Sequence, residues 1–242
     1  MPRGSLLNFV TVLAGALVGL LAGSALPDQY KTIALSGLGL VTVGLGFKMF
    51  FGAKDILVVA GAIALGGILG AFVGISAGFE QFAEFMRQRL GGGDAAQFNQ
   101  ALIATSVLYC VGPMTLLGCM EDALEGKIEL LSLKSTMDGV AAVFFAATSR
   151  SAGLGVVVTA FVVLVFQSLL TFAAKALRPI AKDEGLLADL SGAGGLMLVG
   201  IGLGLLEIKR LAMADYLPAL ILAPLFVLLG RRLGRKTSQP AG

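Results

Sequence analysis

The chain has 242 residues, of which 57% are apolar, 34 are glycine and only 14% are charged. A soluble domain is near half apolar and a quarter charged, and a single core of this size could not hide so many apolar side chains, so a soluble globular protein is excluded. The net charge of +3 is spread too thinly for a nucleic-acid stripe, and the absence of histidine removes HExxH zinc sites, Ser-His-Asp triads, Cys-His pairs and haem attachment.

The expectation is an all-α polytopic membrane protein, because a bilayer core about 30 Å thick takes about 20 helical residues. Charge-free runs predict eight transmembrane spans at 4–27, 32–47, 56–79, 95–120, about 130–149, 151–174, 190–206 and 215–230. The first run is too long and too glycine-rich for a cleaved signal peptide, and it lacks a basic start with a small-residue cleavage site. Within it, Gly15, Gly19 and Gly23 at four-residue spacing predict close helix packing. Asn8, one turn in, predicts a polar bridge to another helix or the lining of a cavity.

Span two opens with Leu35-Ser36-Gly37-Leu38-Gly39, and span seven opens with Leu190-Ser191-Gly192-Ala193-Gly194. Each is followed by Gly-x-Gly, at Gly44 and Gly46 and again at Gly200 and Gly202. A displacement of five crossings reverses direction, which predicts an inverted repeat of spans one to three against six to eight. Both runs are short, and paired short, glycine-interrupted segments point to a transporter's central site, so Gly37 and Gly192 are candidates. The implied organisation is one transmembrane domain over 1–242: repeat one at about 4–79, central spans at 95–149, repeat two at 151–230 and a basic tail at 231–242.

Between spans three and four, Phe79, Phe82, Phe85, Met86 and Leu90 share a helical face opposite most of Glu80, Glu84, Arg87 and Arg89. This predicts an interfacial helix ended by Gly91-Gly92-Gly93. In span four, Gly112-Pro113 predicts a broken helix, with freed carbonyls, the Thr115 hydroxyl and the Cys110 thiol able to hold a cation or polar solute. Cys110 and Cys119 lie in one apolar stretch without a secreted-type framework, so no structural disulfide is expected. The acidic turn from Glu121 to Lys127 reads as a solvated loop.

Lys134 and Asp138 stand four residues apart on one face of span five and can pair. A carboxylate inside a bilayer costs about 2.5–3.5 kcal/mol on insertion scales, which makes Asp138 the leading functional candidate. Lys134, a turn nearer the membrane face, is expected to snorkel. Ser132, Ser135 and Thr136 are expected to bond back to their own helix. Gln167, deep in span six, lines a cavity or bridges helices.

Twelve of the eighteen basic residues fall on the side of the N-terminus, the even-numbered connections and the tail, which predicts cytoplasmic termini in the inner membrane.

The stretch Tyr109-Cys110-Val111-Gly112-Pro113-Met114-Thr115-Leu116-Leu117-Gly118, with Leu133-Lys134-Ser135-Thr136-Met137-Asp138-Gly139 and Phe166-Gln167-Ser168, resembles the bacterial domain of unknown function family 554. The likeness covers nearly the whole chain, from Asn8 to the seventh-span glycines. It departs at Pro113 and Ser168, where small residues would be expected. The resemblance implies a small polytopic inner-membrane protein with a transporter-type role and supplies no substrate.

The leading expectation is a secondary transporter or channel-like permease for a small solute or ion, using a midplane cavity formed by spans two, four, five and seven. Its site would draw on Asp138, Lys134, Thr115, Cys110, Gly112, Pro113, Gln167, Asn8, Gly37 and Gly192. The alternative is a structural or regulatory membrane component that binds a partner through helix faces. No enzyme activity is expected, since a Cys110 nucleophile would need Lys134 as its base. No cofactor or metal is expected, and without a P-loop any coupling would be to an ion gradient. The expected partners are the lipid bilayer, the solute or ion and a second copy of the chain, with no nucleic acid.

Overall fold

A computed structural model describes residues 2–25, 27–91, 93–175 and 183–237, and among these every regular element is helical. In chain order they are α1 (Arg3–Ala25), α2 (Asp28–Phe51), α3 (Ile56–Val73), α4 (Ile75–Leu90), α5 (Ala95–Cys110), α6 (Pro113–Glu125), α7 (Glu129–Thr148), α8 (Arg150–Phe172), α9 (Glu184–Leu205), a 3-10 turn (Met213–Tyr216) and α10 (Ala219–Thr237). Arg178 and Lys182, which entered the charge count, and the uncharged residues 238–242 lie outside the described residues.

Seven described helices are long and apolar enough to cross a bilayer, and α5 with α6, bent by 56°, makes an eighth if the pair is taken as one unit. The charge-free runs found these helices, but two were drawn too short. α2 has 24 residues and α9 has 22, both without a break. Charge does not end them: Lys31 and Lys48 lie inside α2, and the Asp189 carboxylate in α9 accepts the Lys54 and Asp55 amides at 2.7 and 2.8 Å. Gly37 and Gly192 therefore sit in continuous helix, not in irregular backbone.

Span three also ends earlier than its apolar run. Gly74, left-handed at φ 77°, closes α3 and starts α4, a conformation that glycine adopts without steric cost. The apolar residues of α4 divide between two directions. Phe79 and Met86 pack on Phe98, Leu102 and Val158, whereas Phe82, Phe85 and Leu90 stay exposed.

The helices form two groups. In the first, α1 packs against α7 and α8, and α5 packs against α8. In the second, α2 packs against α9 and α3 against α10. Glycine explains the tightest seams. A side chain at Gly15, Gly19 or Gly23 would run into the backbone of Gly139, Val143 or Ala147, so α1 and α7 lie parallel at near-backbone contact. Gly46 meets the Gly195 carbonyl and Gly202 meets the Gly39 carbonyl, so α2 and α9 run antiparallel. The first group joins the second where Val111, between α5 and α6, packs on Gly194 of α9.

The start of α1 and Arg231 of α10 lie at one face. Gly4 donates its amide to Asp122 at 2.9 Å, Leu187 packs with Met120 and Ala174, and Asp183 pairs with Arg231. Asp122 is thus a buried partner for the start of α1, not part of a solvated loop.

Candidate functional site

Asp138 is the tenth of the 20 residues of α7, and its burial follows from the α1 seam beside it. Lys134 donates to both carboxylate oxygens at 2.8 Å. Asn8 of α1 donates its Nδ2 to Oδ2 at 3.0 Å. Lys134 is itself buried and lies 5.9 Å from the centre of the Tyr109 ring, within reach of a cation–π contact. It does not snorkel, because its ammonium turns inward to the carboxylate one turn along.

The wall opposite comes from the α5–α6 break. Gly112 takes φ 144° and ψ 157°, a region open essentially to glycine alone, and α6 starts immediately afterwards with Pro113 in its first turn, where the missing amide is tolerated. The Thr115 hydroxyl donates to the Tyr109 carbonyl at 3.1 Å, so the break satisfies part of its own backbone. Thr115 is therefore committed to holding the bend. Cys110 is half-buried and Cys119 buried, and both are free thiols.

α8 supplies the last polar groups. Thr171 donates to the Gln167 carbonyl at 2.8 Å and lies 3.4 Å from the Ser5 hydroxyl of α1. α1 and α8 run antiparallel, as the Phe9–Phe161 ring contact at 5.1 Å confirms further along. Asn8, a turn on from Ser5, therefore faces the level of Gln167, a turn back from Thr171. Asn8, Gln167 and Tyr109 are all fully buried.

The structure thus joins Asp138, Lys134 and Asn8 directly and sets the Gly112-Pro113 break, Thr115, Cys110 and Gln167 around them. It does not bring in Gly37 or Gly192. A side chain at Gly37 would meet nothing within 4 Å, and Gly192 packs on Ala53 and Val59 in the second group. The polar centre lies between α1, α5–α6, α7 and α8, so span one and span six replace the expected spans two and seven. Tyr109, Ser5 and Thr171 were not singled out as site residues. Only the hydroxyl and amide spacing of Thr171 and Gln167, one turn apart in an apolar helix, could have marked part of this set.

A helical membrane protein with an ion pair closed inside its bundle is the class that these observations define. The chain belongs to the family described as protein of unknown function DUF554, whose model matches residues 3–228. It is 28% identical over 227 residues to the uncharacterized protein YqgA of Escherichia coli strain K12, covering 92% of this chain and 95% of that one. It is 25% identical over 229 residues to the uncharacterized membrane protein YdfK of Bacillus subtilis strain 168, covering 93% and 95%. No solved structure matches the chain.

Proposed function

We propose that the chain is a secondary transporter or channel-like permease for a small solute or ion, with the polar centre at Asp138 as its site. The observation that carries this reading is the Lys134–Asp138 pair, buried at mid-length of a membrane helix and facing a helix break. Charges at that depth are rare because the bilayer penalises them, and they commonly mark ion or substrate pathways.

The arrangement of helices supports the same reading. α5 starts with the Asp94 amide on the Ser151 hydroxyl at 2.8 Å, and α6 ends with Asp122 beside Thr171 in one cleft. Together they follow α8 from end to end, as one bent crossing would. The pairs α1/α8, α2/α9 and α3/α10 each pack together, and each runs antiparallel. That is the relation required of spans one to three and six to eight in an inverted repeat. The α2–α9 seam is lined by glycines on both sides: Gly46 meets Gly195 and Gly39 meets Gly202.

In this reading the chain lies in the inner membrane with both ends in the cytoplasm, where the excess of basic residues falls. The same reading makes the protein a permease and not an enzyme. The test is flux into liposomes containing the purified protein, screened over ions and small polar solutes, with Asp138→Asn as the control. Asn keeps the shape and hydrogen bonding but removes the charge. Flux lost in a folded Asn variant supports the permease. No flux from correctly folded protein under any gradient would favour a structural component that binds partners through its helix faces.

A further inference from the structure

Asn8 provides the starting point. Its Nδ2 is committed to Asp138, yet its Oδ1, on a fully buried side chain, has no hydrogen-bond partner among the described residues. The same holds for both polar atoms of Gln167 and for the hydroxyl of Tyr109. Buried polar atoms are almost always paired, so several orphans around one carboxylate call for an explanation. A carboxylate with amide and hydroxyl oxygens is the donor set preferred by hard cations. The charge count then selects the valence. One carboxylate is balanced by one ammonium, and no group of three acidic, cysteine or histidine side chains is assembled among the described residues. A single carboxylate whose counter-charge is one ammonium matches a monovalent ion.

We propose that Asp138 is an alkali-cation site whose tethered occupant is the Lys134 ammonium. This rests on the permease reading and deepens it by naming the substrate or coupling ion as a monovalent cation. The incoming ion takes the Asp138 carboxylate, the Asn8 Oδ1 and the Gln167 Oε1, and the ammonium swings away on its four-carbon stem. One positive charge enters as the ammonium leaves toward the nearby start of α7 and the membrane face, so the centre is neutral in both states. This avoids the large penalty of an unpaired charge at that depth.

A cleft of about 310 Å³ lies at the face that carries the start of α1, and its walls, with Asp122 and Lys175 of opposite charge among them, reach in as far as Thr171. Thr171 touches Ser5 and bonds to Gln167, one turn short of the level of Asn8 and Asp138.

The experiment is thermal melting of the purified full chain in detergent at constant ionic strength. Sodium, potassium and lithium chloride are titrated against N-methylglucamine chloride for wild type, Lys134→Gln and Asp138→Asn. The wild type should melt higher with at least one alkali cation, since a ligand of the native state stabilises it. Lys134→Gln, freed of its internal competitor, should depend on that cation and half-saturate at a concentration at least tenfold lower. Asp138→Asn should not respond.

The proposal is overturned by a wild type and Lys134→Gln both indifferent to alkali cations, or by a Lys134→Gln protein that stays unfolded in all of them. It is equally overturned if acid alone rescues Lys134→Gln, because the occupant would then be a proton. Melting in detergent needs no gradient, so the two readings separate. Cation binding without flux in liposomes removes the permease and keeps the site, whereas flux without a cation response removes the site alone.

Discussion

Asn8 and Asp138, 130 positions apart in the chain, meet at 3.0 Å, so the first helix and the seventh share one carboxylate. Removing one member of a buried, bonded charge pair leaves the other unpaired and costs about 3–5 kcal/mol, whereas replacing both by apolar residues of similar volume is often neutral. Lys134→Met and Asp138→Leu should each lower the melting temperature strongly in N-methylglucamine, and the double variant should recover most of the loss. Additive losses in a double-mutant cycle would show that the two side chains do not act as a pair.

The glycines of α1 and α2 should behave oppositely. Gly15→Leu forces a side chain into the Gly139 backbone and should cost about 1–3 kcal/mol or prevent folding, as overpacking does. Gly37→Ala meets nothing within 4 Å and should be neutral or stabilise by roughly 0.5–1 kcal/mol, since alanine is the better helix former. Melting of both variants in one detergent checks this, and a Gly37→Ala protein less stable than Gly15→Leu would contradict the packing described for both.

Gly112→Ala tests the bend through the backbone alone. No neighbour lies within 4 Å of the added carbon, so the cost comes from φ 144° and should be about 1–3 kcal/mol. Because Thr115 ties the bend to the Tyr109 carbonyl, hydrogen exchange should rise at the amides of residues 111, 112, 114 and 115 before it rises in α8. Unchanged exchange there would show that the bend does not need glycine.

Acid should loosen the tie between α9 and α10. The Arg231 guanidinium beside Asp183, aided by the Leu186 amide, holds the carboxyl down from 3.8 to about 2. A carboxylate held low in the folded state adds stability that is complete above its free value and is lost as the pH falls through its folded one. The melting temperature should therefore drop between pH values near 4 and 2 by more in wild type than in Asp183→Asn. The difference should be small and weakened by salt, as for any exposed pair. Parallel acid profiles would show that the pair adds nothing.

Much of this architecture was legible along the chain. Runs without charge located the seven long apolar helices among the described residues, and four-residue spacing placed Lys134 on Asp138. The ends of α2 and α9 were misjudged because charged residues inside a helix were read as its limits, while Asp189 finds its partners in the loop between α2 and α3. The composition of the polar centre was hidden for a different reason. Which helix lies beside α7 depends on the glycine notches of α1 fitting the α7 backbone, and nothing local to residues 134–138 announces Asn8, Tyr109 or Thr171.

The seam between α1 and α7 has a consequence for biogenesis. α1 docks on α7, which is encoded more than a hundred residues after it. At about 5–20 residues per second, roughly six to 25 seconds pass before α7 can reach it. Throughout that delay α1 crosses the membrane with Asn8 and a three-glycine notch facing lipid or the insertion machinery. The partner that buries them arrives only after the helices between have been made, so α1 waits for its place while later helices are synthesised.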